Sequence, residues 1–288
     1  MYYPKSQHHT LRRSKRCDEE TLTLINYTRD LTKVVLELQF TTLSSASSSS
    51  TTTTTTSSST SSSTTSLRNN KDGQNYGPLP PPKLYTKSEI KSLQKQKANT
   101  ITLILALKPR NDDDENDNDD QHNQNHKNKN NAIYEATRLC TVLYATALAN
   151  KTPLSSTVRN NFISSSDDDD DKNNNILTLI RHHLSRTDLS NCWDSMVGIL
   201  FFNTLIAAAA CNDTCNDTDT DADTDTENTA KPAKDASSGM AAQVQASRKW
   251  FVALAIRCSI LLSFSHTDVV VDMLSLVLDV QAVLRGAD

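Results

Sequence analysis

AIYEATRLCTVLYATALA, residues 132–149, is the stretch that decides the fold class. Ala136, Leu139, Cys140, Leu143 and Ala147 recur at steps of three and four, which places them on one face of an α-helix. The same spacing returns on both sides. Upstream, Leu24, Tyr27, Leu31, Val34, Val35 and Leu38 mark a helix within 18–40. Asp18, Glu19 and Glu20 crowd its start, where the positive end of the helix dipole favours carboxylates. Thr86, with Glu89 three residues on, spells a capping box. Ile90, Leu93, Ile101, Ile104 and Leu105 give the next helix an apolar side; its polar middle, 94–97, is a candidate break, and Pro109 is expected to end it.

Downstream, Pro153 and Leu154 read as a turn. Ile176, Leu177, Ile180 and Leu184 share a helical face. Residues 193–210 are apolar nearly all round, the mark of a helix central in its bundle. Trp250, Leu254, Cys258 and Leu261, with Phe251 and Leu262 beside them, give a face within 243–263. Ser265, with Asp268 three residues on, is expected to cap a last helix. Its face is Val270, Met273, Leu274, Val277 and Leu284, and Gly286 suits its C′ position. The β-branched run 269–271 admits a short strand, but no partner strand is evident.

Between the stripes lie tracts with almost no apolar content: 41–83, rich in Ser and Thr; 108–131, rich in Asn and Asp; 164–175; and 211–240, where Asp and Thr alternate. Such segments do not bury enough surface to offset a chain entropy of about 1–2 kcal/mol per fixed residue, so they are expected to be disordered inserts. The expected organisation is a basic disordered tail, 1–17, and one discontinuous helical domain, 18–288. The expected class is all-α, an irregular domain of about six to nine helices. The 5 glycines are too few for many tight β-turns and offer no phosphate-cradling spacing.

The net charge of −4 hides a partition. The blocks 111–120, 167–171 and 211–227 hold 19 of the 34 acidic residues and no Lys or Arg, so 15 acids face 30 bases elsewhere. A body with that excess attracts nucleic acid or acidic partners; dispersed surface cations are the plainer account. The tail carries Lys5, Arg12, Arg13, Lys15 and Arg16, either a nuclear address or a solvated end. It has no apolar core of a secretory signal, and no apolar run reaches the roughly 20 residues of a membrane span. The six cysteines, Cys17, Cys140, Cys192, Cys211, Cys215 and Cys258, are then expected to be free thiols.

Four groups merit a chemical reading. Cys211 and Cys215 are close, but a zinc site needs two further ligands. The Asp/Thr run 213–226 lacks the glycine and closing bidentate glutamate of a calcium loop. His182 and His183 are adjacent on a helix and point about 100° apart, which does not chelate one metal. Trp250 and Phe251 fit a core stripe as well as a pocket or interface. No serine or cysteine has a base and an orienting group beside it. No catalytic, cofactor-binding or metal-ligating residue is expected, no cofactor is implied, and the chain is not read as an enzyme.

A partial family likeness adds to this. Tyr134, Glu135, Ala136, Thr137, Arg138 and Leu139 open a helix. Leu143 and Tyr144 come one turn on, and Pro153 and Leu154 after it. An Ile/Leu helix (176–184), Trp193, an apolar helix (196–210), the phrase Arg248, Trp250, Phe251, and a final helix at Ser265, Asp268 and Val269 follow in order. Together, with 21–38 as the opening helix, these resemble the helical regulatory region of fungal-specific transcription factors, over about half the chain. The two-zinc, six-cysteine DNA-binding cluster of that family is absent. The centre of the apolar helix, Asn203 and Thr204, is more polar than the family pattern. The resemblance implies a nuclear regulator of transcription that binds other proteins, such as transcriptional machinery or a second copy of itself, with no direct nucleic-acid contact and no membrane. It is either part of a longer factor or a standalone regulatory domain. The competing reading is a helical scaffold or interaction protein without a transcriptional role, which would be cytoplasmic.

Overall fold

In a computed structural model of the chain, the described residues are 14, 17–46, 85–110, 121–162, 175–211 and 235–285. Seven α-helices and one 3-10 turn run through them: α1 (Glu19–Ala46), α2 (Lys87–Leu105), α3 (Gln121–Asn150), α4 (Leu154–Phe162), α5 (Ile176–Ser185), the 3-10 turn (Asp194–Met196), α6 (Val197–Ala210) and α7 (Asp235–Arg285). No strand occurs among the described residues, and 269–271 is helical. The all-α class expected from the spacing is what the chain adopts.

Three helices begin at a side-chain cap. The Asp18 carboxylate accepts from the Thr21 amide at 2.8 Å and so caps α1. Thr86 and Glu89 exchange both bonds of the capping box at α2. Asn175 caps α5 through the Leu177 amide. α3 ends with Lys151 in the left-handed region, φ 52°, and the Thr152 amide reaching back to Ala147 O. That is a Schellman-type stop made without glycine.

Several expectations shift. The Pro153 turn opens a further helix, α4. The polar middle of α2 does not break; Lys97 instead donates to Leu148 O at 2.9 Å, covering a carbonyl at the end of α3. α2 stops at Leu105, four residues before Pro109. Helices α1, α3 and α7 extend into the tracts expected to be inserts, by 41–46, 121–131 and 235–240 respectively. Once a packed stripe nucleates a helix, each added residue gains a hydrogen bond at little entropic cost. Residues 108–110, 175 and 211 of those tracts are described as well; the rest of the four tracts, and most of the tail, lie outside the described residues. So does Gly286.

One continuous hydrophobic cluster takes side chains from all seven helices, from Leu22 to Leu284. α6 sits at its centre, buried on almost every side. Its start differs from the expected Trp193. Cys192, Trp193 and Asp194 are all left-handed, with φ of 46°, 63° and 51°. Left-handed backbone costs about 1–2 kcal/mol per non-glycine residue. The turn points the Trp193 indole fully into the core, where Nε1 donates to Thr187 Oγ1 at 2.9 Å.

α7 is broken inside, at His266 (φ −151°, ψ 57°), one residue past the expected cap Ser265, whose side chain is not described. Its inner face is Phe251, Leu254, Ala255, Cys258 and Leu262 before the break, and Val270, Met273, Val280 and Leu284 after it. Leu261 and Leu274, expected inside, are exposed, and Val280 takes an inner place. At 3.6 residues per turn a three-step and a four-step are both near one turn, so spacing alone does not choose between Leu261 and Leu262.

The helices are keyed together by threonines. Thr28, Thr32 and Thr137 each donate a side-chain hydrogen to the carbonyl four residues back. Each hydroxyl oxygen then remains as an acceptor on the helix surface. Thr141 is within 3.1 Å of Thr28, the Tyr144 hydroxyl within 3.0 Å of Thr32, and Asn203 Nδ2 within 3.1 Å of Thr137. The first two pairs register α1 against α3; the third registers α3 against α6.

Since Thr32 spends its hydrogen on Thr28 O, Tyr144 is the donor of the pair. Thr32→Val therefore strands a buried phenol, whereas Tyr144→Phe leaves the Thr32 hydroxyl bonded. Urea unfolding is expected to show a loss of about 1–3 kcal/mol for Thr32→Val, and a smaller loss, about 0.5–1.5 kcal/mol, for Tyr144→Phe. In the Tyr144→Phe background, Thr32→Val is expected to cost much less than it does alone.

Candidate functional site

Two places combine side chains from several elements: a charged clasp at the start of α1, and the outer surface of α7. The clasp centres on Arg110, in the segment after α2. Its guanidinium bonds Asp18 and Glu20 at the start of α1, with Nε to Glu20 Oε2 at 2.9 Å. It also lies 4.2 Å from the centroid of the Tyr134 ring on α3. The Arg110 amide donates to Glu135 Oε1 at 2.6 Å, and Arg138 closes on the other oxygen at 2.8 Å. The Tyr134 hydroxyl reaches Lys108 O. Glu135 is buried, and these donors satisfy both of its oxygens.

Burial opposes ionisation of Asp18, but the bonds from Arg110 and from Thr21 together outweigh it and hold its carboxyl below the ordinary aspartate value. Arg110 ties three segments that are distant in sequence. Its guanidinium and amide both donate to protein acceptors, which makes this a structural lock.

The residues weighed in the sequence are placed as follows. His182 is exposed, and its ring meets that of His183 edge-on at 5.5 Å. Phe251 is wholly buried; Trp250 packs against the core from its edge, with the Arg181 guanidinium 5.7 Å from its ring. Cys211 is buried, and Cys215 and the Asp/Thr run lie outside the described residues. Among the described residues no group of three His, Cys, Asp or Glu side chains could hold a metal ion. Cys192 and Cys258 are both buried and in side-chain contact; burial first, then the Cys192 thiol, pushes Cys258 up, which keeps it an unreactive thiol.

The surface of α7 is different. Val252, Ile256, Ile260, Leu261, Phe264, Val271, Leu274 and Leu278 are all exposed, Phe264 at 85 % and Leu278 at 68 %. The sequence reading missed this outer stripe because the inner stripe accounts for the helix by itself. Beside the stripe, a groove of about 540 Å³ separates the second half of α7 from α1, lined by Leu36 and Leu276 and by Arg29, Lys33, Asp272 and Asp279.

Neither protein-family models, nor curated proteins, nor solved structures give a match to this chain. The geometry therefore bears the functional reading. Among the described helices none is long and apolar enough to cross a membrane.

Arg110→Ala is expected to lower stability by about 1–2 kcal/mol, because Asp18 and Glu20 remain partly solvated and are screened. Arg110→Lys is expected to recover only part, since an ammonium does not reproduce the fork. Asp18 has a lower pKa folded than unfolded. Its contribution is complete above the ordinary value of 3.8 and is lost as pH falls through the lower folded value. Urea titrations of wild type and Arg110→Ala should therefore converge on acidification below 3.8.

Proposed function

We propose that this chain is a regulatory, protein-interaction domain resembling the helical part of fungal transcription factors, acting on transcription without a DNA-binding cluster of its own. The observation that carries the interaction role is the exposed apolar stripe on α7. Scattered surface leucines need no explanation, but a run of eight large apolar side chains on one helix marks a docking surface. The transcriptional role is supported by the ordered phrases, from Tyr134 through Trp193 to Arg248, Trp250 and Phe251. Nuclear residence follows from that role and from the basic tail. The acidic tracts lack interleaved aromatics and are assigned no activating part.

A second reading, a helical scaffold with no transcriptional task, draws on the clasp. Tyr134, Glu135, Thr137 and Arg138 all have packing or bonding roles that any helical body would use. The two readings part in cells. Fused to a heterologous DNA-binding domain, the full chain is expected to change reporter output. Ile256→Asp with Leu278→Asp is expected to abolish the change while leaving far-UV circular dichroism intact. A folded, nuclear fusion with no effect on the reporter would overturn the transcriptional reading in favour of the scaffold.

A further inference from the structure

Resting on the reading of α7 as an interaction face, the arrangement of its residues points to one occupant. We infer that the stripe pairs with the same stripe of a second copy, the two α7 helices running antiparallel about a two-fold axis near residue 265. Three observations converge on this.

The stripe is nearly palindromic. Val252 and Leu278 stand 13 residues either side of position 265, and Ile256 and Leu274 stand 9 either side. Ile260 and Val271 are 5 and 6 away, and Phe264 lies beside the axis. A two-fold axis therefore lays large apolar side chains on large apolar side chains along its length. The break at His266 falls at the same point, so the bend of one copy meets the bend of the other.

Charge along the stripe is divided by half. Within 249–279 the exposed cations, Lys249 and Arg257, precede the break, and the exposed acids, Asp268, Asp272 and Asp279, follow it; the exposed Arg285 lies beyond the stripe, at the helix end. Antiparallel pairing brings Arg257 (8 residues before 265) opposite the partner copy's acid 7 after it, and Lys249 (16 before) near the acid 14 after it. Counted at about 100° per residue from the buried face of its own half, each of Arg257, Asp272 and Asp279 lies to the same side, where flanking charges of paired helices meet. Parallel pairing would set like against like.

Those charges are also available. Lys249, Asp272 and Asp279 form no ion pair among the described residues. Arg29 and Lys33, across the groove, are paired with Asp30 and Glu37 on their own helix. Arg257 donates one nitrogen to Ser190 O and stays exposed.

The size of the face sets the strength. From Val252 to Leu278 the helix rises roughly 39 Å, and a strip about 10 Å wide gives on the order of 800 Å² over two copies. Stable dimers bury about 1,200–2,000 Å², so the pairing is weak and concentration-dependent.

Sedimentation velocity of the full chain is the test. A monomer–dimer equilibrium in the micromolar range or weaker is expected, loosening as salt rises. Lys249→Asp with Arg257→Asp makes both halves acidic, and Asp272→Lys with Asp279→Lys makes both basic. Each variant alone is expected to associate at least about tenfold more weakly than wild type, and their mixture to associate again. Orientation is read by oxidative cross-linking: Val252→Cys mixed with Leu278→Cys is expected to link between copies, and Val252→Cys alone is not. A monomer at all concentrations, Val252→Cys self-links, or a mixture no tighter than its parts would overturn the proposal. Reporter activity retained by a strictly monomeric protein would defeat the pairing and leave the interaction role standing with another partner.

Discussion

A threonine hydroxyl inside a helix has one hydrogen and two lone pairs, and how this chain uses them sets the arrangement of its helices. Thr28, Thr32 and Thr137 give the hydrogen to their own helix and offer the oxygen to the next. An apolar stripe is indifferent to sliding; a buried donor is not, because a lost partner costs about 1–3 kcal/mol. Two such pairs, four residues apart on α1 and three apart on α3, fix those helices side by side in one register. Thr137 then passes the register to α6 through Asn203. The polar centre of α6, an oddity in the sequence, is thus the point where the central helix is keyed to α3. Asn203 Oδ1 has no hydrogen-bond partner among the described residues, and that is the cost of this key.

Much of this was legible in the sequence because burial repeats with the helical period. The faces of α1, α3 and α5 fell where the steps of three and four put them, and Thr86 with Glu89 announced the start of α2. What the period does not encode was missed. Trp193 scored as helical because it is apolar, whereas its backbone is left-handed and no glycine gives that away. Leu261 and Leu274 were placed inside by a spacing that served Leu262 and Val280 equally well. Arg110 left no pattern at all: it is one cation after a proline at the edge of an acidic tract. Its role depends on Asp18, Glu20 and Glu135, which are 92, 90 and 25 residues away.

The clasp bears on how the family likeness is weighed. Tyr134 to Leu139 is the strongest phrase of that likeness, and in the structure it is a lock: a ring under a guanidinium, a buried carboxylate shared by Arg110 and Arg138, and Ala136 and Leu139 in the core. Residues that serve packing are explained by the helical body itself and say nothing of a partner. What that body touches has to be read from surface that packing leaves unexplained.

α7 is where packing runs out. A helix in a single-core body needs one apolar face, and α7 has that face, from Phe251 to Leu284. Its second apolar stripe contributes nothing to the monomer. Exposed side chains of this size favour association at about 25 cal/mol per Å² of apolar surface covered, whether or not the association is specific. A chain that keeps such a stripe therefore needs something to choose its partner. In the proposed pairing the charges flanking the stripe are such a device, since Lys249 and Arg257 would accept an acidic half and repel a basic one. Steering by charge over a small apolar strip gives contact that forms and dissolves with concentration and salt, which suits a switchable assembly better than a permanent one.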